Sequence, residues 1–148
     1  MSNFRVAVIV SRWNEGVTHS LREGAVRTLK ERGVSHENIE VVHVPGCFEL
    51  PVAAKKYAEL GRFDALVCLG AIIQGETTHH EQIAYAATSG LQQVSQAFTL
   101  PIGFGVLTTQ TLEQALERSG GKMGNKGSEA AEAALDMAIL FQNLKQKY

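Results

Sequence analysis

The residues best suited to chemistry follow the longest apolar run of the chain, residues 65–73. The next polar segment, 75–80, reads Gly75-Glu76-Thr77-Thr78-His79-His80. A strand that turns into a helix presents unpaired backbone N–H groups and the positive end of a helix dipole, and both attract anions. His79 stands at this turn, and an imidazole can take or give a proton near neutral pH. The pattern predicts an anion site with acid–base chemistry, although a helix cap or a surface histidine is the simpler interpretation.

Two other apolar runs end in loops with aromatic and acidic residues. Trp13 follows the first run, and Phe48 and Glu49 follow the second. The two rings can stack on a flat heterocycle, and the Glu49 carboxylate can accept hydrogen bonds from its N–H edge. Alternatively, the rings anchor their loops and Glu49 caps the helix that begins near Pro51. Because ligands of open parallel sheets bind at the carboxyl ends of the strands, we expect these loops and segment 75–80 to form one site.

Three basic residues surround a glycine-rich stretch, Gly120–Gly127, which we predict to be flexible. Arg118, Lys122 and Lys126 occur at four-residue intervals. They form either a phosphate clamp or a solvated cationic helix end. Arg118 is predicted at the end of the fourth helix, and Phe104 lies inside the fourth predicted strand. Neither position reaches the carboxyl end of the third strand in the same subunit, so a neighbouring subunit must supply both if they belong to the site.

No metal site is predicted. His79 and His80 are adjacent, so on a helix their side chains point about 100° apart, and no zinc-binding spacing occurs. Cys47 and Cys68 lie far apart in the sequence and form no C-x-x-C pair. This argues against a disulfide scaffold or a metal ribbon, and we expect both cysteines to be small buried residues.

Short apolar runs alternate with helical periods along the chain. The predicted strands are Arg5–Val10, Ile39–Val44, Leu66–Ile73 and Ile102–Leu107. The predicted helices are a stripe that stops at Gly33, a segment from Pro51 to Gly61, the stripe 83–98, a helix opened by a capping box at Thr111 and Gln114, and a last helix from about Ser128 onward. Such alternation calls for a parallel sheet with helices on both faces. We therefore predict a flavodoxin-like three-layer α/β/α sandwich with a four-stranded parallel sheet.

Length and composition narrow the class of protein further. The 148 residues are 45% hydrophobic and 20% charged, which suits a single domain, 1–148. A net charge of -1 without runs of like charge argues against nucleic acid as a partner. No apolar stretch approaches the roughly 20 residues of a membrane span. We therefore expect a cytoplasmic protein without a membrane partner.

Several motifs occur along nearly the whole chain, from about Phe4 to the last helix. They are Arg12-Trp13-Asn14, Val44-Pro45-Gly46-Cys47-Phe48-Glu49-Leu50-Pro51, Leu69-Gly70-Ala71-Ile72-Ile73-Gln74-Gly75-Glu76-Thr77-Thr78-His79, Gly105-Val106-Leu107-Thr108-Thr109 and Gly124-Asn125-Lys126-Gly127. In this order and spacing the chain resembles the 6,7-dimethyl-8-ribityllumazine synthases. The resemblance implies condensation of 5-amino-6-(D-ribitylamino)uracil with 3,4-dihydroxy-2-butanone 4-phosphate, with release of phosphate and water. It implies small-molecule substrates and neither a metal nor an organic cofactor.

The resemblance also implies roles for individual residues. His79 takes the place of the family's acid–base histidine, and Trp13 takes the place of the aromatic ring that stacks on the pyrimidine. The residues implied in the uracil and ribityl pocket are Cys47, Phe48, Glu49, Ala71, Ile72 and Ile73, together with Phe104 from the adjacent subunit. The phosphate is assigned to the backbone N–H groups of Glu76 and Thr77 and to Arg118 of the adjacent subunit.

The chain departs from the family's pattern at two positions. Gln74 stands where many relatives have arginine, and Trp13 stands where phenylalanine is commoner. The first strand begins within a few residues of Met1, which leaves no room for the N-terminal segment that adds a strand to a neighbouring subunit in longer relatives. We expect a homo-oligomer with a pentameric building block, as a pentamer or decamer rather than a sixty-subunit shell, and sites at its subunit interfaces.

Two alternatives belong to other functional classes. A non-catalytic flavin- or lumazine-binding shell protein of the same fold would also use stacking rings and a polar edge. It would need neither a proton shuttle nor a phosphate clamp, so the presence of His79 and Arg118 favours the enzyme. A receiver-like phosphotransfer domain would carry an acidic cluster at the end of the first strand, and the sequence Ser11-Arg12-Trp13-Asn14 has none.

Overall fold

The centre of the protein is a sheet of four parallel strands. In a computed structural model, which describes residues 3–148, these strands are β1 (Val6–Ser11), β2 (Ile39–Val44), β3 (Ala65–Ile73) and β4 (Ile102–Thr109). Their order is β2-β1-β3-β4, and each neighbouring pair is parallel. The four predicted strands are confirmed, and their ends shift by at most two residues.

Helices cover both faces of this sheet. They are α1 (Glu15–Glu31), α2 (Leu50–Leu60), α3 (His79–Phe98), α4 (Leu112–Glu117) and α5 (Lys126–Lys147). Residues of α1, α4 and α5 share one buried cluster with Val6 and Val8 of β1, whereas residues of α2 and α3 share a second cluster with Ala7 and Ile9. Successive side chains of a strand point to opposite faces. The two clusters therefore lie on opposite faces, and the predicted three-layer α/β/α sandwich is confirmed.

The positions of the strands explain their sequences. β1 and β3 lie inside the sheet and are buried along almost their whole length. A strand covered on both faces has no solvent-facing positions, so its sequence is a continuous apolar run. β2 lies at an edge and is only partly buried. Because all four strands run in one direction, their carboxyl ends meet at one edge of the sheet.

The helix ends fall where local chemistry predicts them. Gly33 follows α1 with a φ of 97°, a conformation that favours glycine. Pro51 lies in the first turn of α2, and Thr111 forms the predicted capping box of α4 with Gln114. α3 begins at His79, four residues before its apolar stripe. The histidine therefore lies in the first turn of that helix, as predicted.

The glycine-rich stretch, residues 120–127, differs from the prediction. Instead of an irregular flexible stretch, Ser119–Gly121 (β5) and Gly124–Asn125 (β6) form a small antiparallel hairpin. α5 begins at Lys126, two residues before the predicted start. The side chain of Asn125 caps α5 and also donates a hydrogen bond to a carbonyl of α1 at 3.0 Å. This docking against α1 is a long-range contact, and glycine-rich composition alone does not reveal it.

Candidate active site

A cleft opens at the carboxyl ends of β1 and β3, where the sequence predicts the site. Its volume is about 350 Å³, within the usual range of small-molecule pockets. Its walls are the loops after β1, β2 and β3, the end of β3 and the first turns of α3. The lining residues are Trp13, Asn14, Cys47, Ala71, Ile72, Ile73, Gly75, Thr77, His79, His80 and Ile83. The fold thus brings together seven of the residues that were predicted for the site from sequence.

Gly46 packs behind Trp13, which lines the cleft. A Cβ atom at this position would lie 3.0 Å from Trp13 Cδ1 and 3.3 Å from Glu49 Oε1. Because glycine has no side chain, the indole ring of Trp13 and the carboxylate of Glu49 can both lie close to the backbone at position 46. The Trp13 side chain is 72% exposed, so its ring is accessible for stacking. Glu49 precedes α2 but makes no capping hydrogen bond with its side chain, so its carboxylate remains a potential acceptor for a ligand.

The floor of the cleft is buried and largely apolar. Ala71 and Ile72 are both buried, and Cys47 Sγ lies 3.6 Å from Ser11 Oγ beside them. Gly70 makes this contact possible, because a Cβ there would lie 2.4 Å from the sulfur. Burial raises the pKa of the Cys47 thiol and outweighs the opposing hydrogen bond from Ser11. The thiol is therefore neutral near pH 7, where it acts as a weak hydrogen-bonding group and not as a nucleophile.

The loop between β3 and α3, residues 74–78, forms the polar side of the cleft. Thr78 precedes α3 and makes no capping hydrogen bond with its side chain, and N–H groups in a first turn have no partner inside the helix. The N–H of His79 lies 3.4 Å from Thr77 Oγ1, a long contact. The side chain of His80 is 14% exposed, and its Nδ1 lies 3.0 Å from the Thr77 carbonyl oxygen. The loop and the helix start therefore present an electropositive surface to the cleft.

Four lining residues had no individual role predicted from the sequence: Asn14, Gly75, His80 and Ile83. Gly75 and His80 nevertheless belong to segment 75–80, which was predicted to form part of the site. Asn14 takes the left-handed conformation, with φ 63°, and its Nδ2 donates a hydrogen bond to the Ala71 carbonyl at 3.0 Å. An asparagine in the short loop between a strand and a helix was a usable signal, because asparagine tolerates this conformation better than most residues. Ile83 lies one turn after His79, so both occupy the same face of α3.

Five predicted site residues do not line the cleft of the same chain: Phe48, Glu49, Glu76, Phe104 and Arg118. Phe48 is 63% exposed. Phe104 is paired with Cys68, four residues before Ile72 in β3, and this offset corresponds to about 13 Å along a strand. Arg118 follows α4 and donates a hydrogen bond to a carbonyl of that helix at 3.4 Å. The predicted roles of Phe104 and Arg118 depend on another copy of the chain, and those of Phe48, Glu49 and Glu76 remain predictions for the same chain.

The three cations around the glycine-rich stretch do not lie on one helix. Arg118 follows α4, Lys122 lies in the hairpin turn and Lys126 begins α5. Lys122 forms an ion pair with Glu117 at 3.1 Å, with the lysine side chain 78% exposed. Their four-residue spacing therefore does not align them on a common helical face.

Over residues 3–148, no three His, Cys, Asp or Glu side chains are grouped so that they could hold a metal ion. Within the same range, none of the helices has the length and apolar character to cross a membrane.

The parallel sheet defines an open α/β protein, and its carboxyl edge carries a cleft of the size that small molecules occupy. The sequence model of 6,7-dimethyl-8-ribityllumazine synthase matches residues 3–142 of the 148. The chain therefore belongs to the 6,7-dimethyl-8-ribityllumazine synthase family, a family of transferases in riboflavin biosynthesis. The resemblance that the motifs indicated is confirmed.

One solved structure is also similar to the chain. It is a de novo designed Rossmann fold protein with 16% sequence identity and a TM-score of 0.43, over 76% of this chain and 90% of that one. The assignment of the fold rests on the observed strand order and layers instead of this likeness.

Proposed function

We propose that the chain condenses 5-amino-6-(D-ribitylamino)uracil with 3,4-dihydroxy-2-butanone 4-phosphate to give 6,7-dimethyl-8-ribityllumazine. Family membership supports the class of reaction. The observation that supports a particular location for the reaction is the cleft. It places an accessible aromatic ring, Trp13, and a helix start with Thr77 and His79 around one apolar floor. These are the groups needed to hold a flat pyrimidine, an anion and a proton donor side by side.

The chemistry requires little covalent participation from the protein. The 5-amine of the pyrimidine attacks the ketone and forms an imine, with loss of water. Phosphate then leaves with the electrons of the C–O bond as a proton is removed from the neighbouring carbon. Loss of phosphate leaves an enol, which takes a proton at its terminal carbon and gives up its hydroxyl proton to become a ketone. The ribitylamino nitrogen attacks this new carbonyl, and ring closure releases water again. Catalysis therefore consists of positioning two substrates and moving protons, and His79 is the side chain to which we assign proton transfer.

We assign the phosphate to the start of α3. Its negative charge would face the N–H groups of the loop and the positive end of a 20-residue helix. Glu76 is exposed and does not line the cleft, so its carboxylate can point to solvent while its backbone N–H serves the anion. The pyrimidine is assigned to Trp13, with Glu49 as acceptor for its N–H edge, and the ribityl chain to the floor formed by Cys47, Ala71, Ile72 and Ile73.

We further propose that the site is completed by a second copy of the chain in a pentamer. Phe104 lies on an edge strand about 13 Å from the level of the cleft floor, and Arg118 lies outside the cleft. Large apolar side chains on α2 and α3 are exposed in the isolated chain, among them Val52 at 68% and Tyr85 at 76%. Exposure of this kind is typical of surfaces that pack against another chain.

The direct test mixes purified protein with both substrates and follows the absorbance and fluorescence of the lumazine. We expect product to form faster than in the uncatalysed condensation. Product at the uncatalysed rate, with the heterocycle nevertheless bound, would instead identify a non-catalytic binding protein. Light scattering of the native protein tests the shared site, because an active monomer contradicts it.

Two substitutions separate the assigned roles. His79→Ala is expected to lower kcat modestly, by less than the roughly 100-fold typical of acid–base catalysis, because imine formation also proceeds in water. Arg118→Ala is expected to raise the KM for the phosphate substrate roughly tenfold, since it removes a charged hydrogen bond. His36→Ala and Arg62→Ala are suitable controls, because both residues are exposed and outside the cleft. An unchanged KM in Arg118→Ala removes that residue from the phosphate site.

A further inference from the structure

The loop that faces the proposed phosphate has few internal contacts. All five of its residues, 74–78, are exposed. Its first residue is held to the sheet by a backbone hydrogen bond from Gln74 N–H to the Thr109 carbonyl at 2.8 Å. Within the described chain, only two side-chain contacts hold its distal part. One is the 3.4 Å contact between His79 N–H and Thr77 Oγ1, and the other is the 3.0 Å hydrogen bond between His80 and the Thr77 carbonyl.

The second of these contacts is the shorter one, and its donor is well fixed. The His80 side chain is only 14% exposed and lines the cleft. A carbonyl oxygen accepts but cannot donate, so Nδ1 of His80 must carry the proton. Nε2 then faces Glu81 at 4.0 Å, which is beyond hydrogen-bond distance. Both the neutral Nδ1–H form and the charged imidazolium can donate to Thr77, so the tether does not depend on the charge of His80.

The hydrogen bond also fixes the direction of a neighbouring N–H group. The carbonyl of Thr77 and the N–H of Thr78 belong to one planar trans peptide, in which the two bonds point in opposite directions. When the carbonyl turns toward His80, the Thr78 N–H must point away from that imidazole. Thr78 stands directly before α3, where N–H groups have no partner within the helix. His80 thereby sets the orientation of a peptide unit at the helix start.

We propose that His80 is a positioning residue. By holding this peptide it fixes the loop that carries the Glu76 and Thr77 N–H groups in the conformation that binds the phosphate of the substrate. The inference rests on the proposed function, because it takes the helix start as the phosphate site. The titratable groups around His80 are His79, Glu81 and, on the other side of the cleft, Cys47. Proton transfer is left to His79, and the contribution of His80 is the geometry of the loop.

A matched pair of substitutions tests this role. Asparagine carries an N–H donor on the atom that replaces Nδ1, whereas leucine has the same branched shape without a donor. His80→Asn and His80→Leu therefore both remove the imidazole ring, and only His80→Asn keeps a donor for the hydrogen bond to Thr77. Hydrogen–deuterium exchange of the intact protein reports on the loop whether or not substrates are turned over. Steady-state kinetics then report on the phosphate substrate.

The expected pattern is distinctive. In His80→Leu the amide hydrogens of residues 75–80 exchange faster than in the wild type, and the KM for the phosphate substrate rises roughly 2- to 10-fold. In His80→Asn the exchange rate and the KM both stay close to the wild-type values. The pH profile of kcat stays the same in both variants, because His79 is unchanged. Equal exchange and equal KM in the two variants would overturn the positioning role, and so would a shifted pH profile in His80→Asn. A wild-type protein without activity rejects the proposed function, whereas the exchange comparison still decides whether His80 holds the loop.

Discussion

Gly70 lies in β3 beneath the cleft, and Gly70→Ala tests how the floor is built. The added Cβ would lie 2.4 Å from Cys47 Sγ and 2.9 Å from Ser11 Oγ, whereas ordinary van der Waals contact begins at 3.4 Å. β3 is bonded to a strand on each side, so it cannot shift, and Cys47 must move instead. Overpacking of this size typically costs about 1–3 kcal/mol. At about 2–4 °C per kcal/mol for a chain of this length, Tm should fall by about 2–12 °C.

A double substitution identifies the cause of that loss. In Gly70→Ala with Cys47→Ala the sulfur is absent and the Ser11 hydroxyl is free to rotate, so the double variant should be more stable than the two single effects predict. Gly16→Ala is the control, because nothing lies within 4 Å of its Cβ and it is in a helix, where alanine stabilises by about 0.5–1 kcal/mol. Thermal unfolding followed by circular dichroism measures the wild type, the double variant and the three single variants, Gly70→Ala, Cys47→Ala and Gly16→Ala. A Gly70→Ala protein as stable as the wild type, or strict additivity with Cys47→Ala, refutes this account of the floor.

Three further substitutions or conditions test other parts of the structure. Trp13→Phe should keep the affinity for the pyrimidine, whereas Trp13→Ala should weaken binding by roughly 0.5–1.5 kcal/mol. In the wild type, quenching of the fluorescence of this single tryptophan reports binding directly. Burial raises the pKa of Cys68 to about 12 and raises that of Cys47, so thiol reagents should label the folded protein slowly at pH 8, faster as the pH rises, and rapidly after unfolding. Since both thiols are harder to ionise in the folded state, their contribution to stability is present below their ordinary pKa of 9.0 and is lost at higher pH, for Cys68 as the pH rises toward 12. Arg32→Ala removes the ion pairs with Glu132 and Asp136 that join the end of α1 to α5. We expect the free energy of unfolding to fall by about 0.5–1 kcal/mol, and by less in 1 M salt. A loss of stability that salt does not change would contradict an ionic origin.

The elements of this fold are predictable where a local pattern is enough. The continuous apolar run at Leu66–Ile73 predicts β3 because a strand covered on both faces has no polar positions. The apolar stripe of α3 predicts a helix but not its start, since the first turn, from His79, is polar and faces the cleft. The hairpin at Ser119–Asn125 was missed because its order comes from contacts with α1 and from the flanking helices. A glycine-rich composition does not reveal such long-range contacts.

The candidate site, like the fold, is predictable from sequence only in part. The alternation of strands and helices determines from sequence alone that the loops after β1, β2 and β3 meet at one edge, and the motifs in those loops identify the family. Which side chains enter the cleft is decided by tertiary packing. Phe48 remains exposed, although it is next to Cys47, which forms part of the floor. His80 enters the cleft because α3 packs with that face inward, and the left-handed turn at Asn14 ties one loop to β3. The physical reason is that periodicity fixes which face of an element is apolar, whereas the direction of each loop residue depends on hydrogen bonds to partners far away in the sequence.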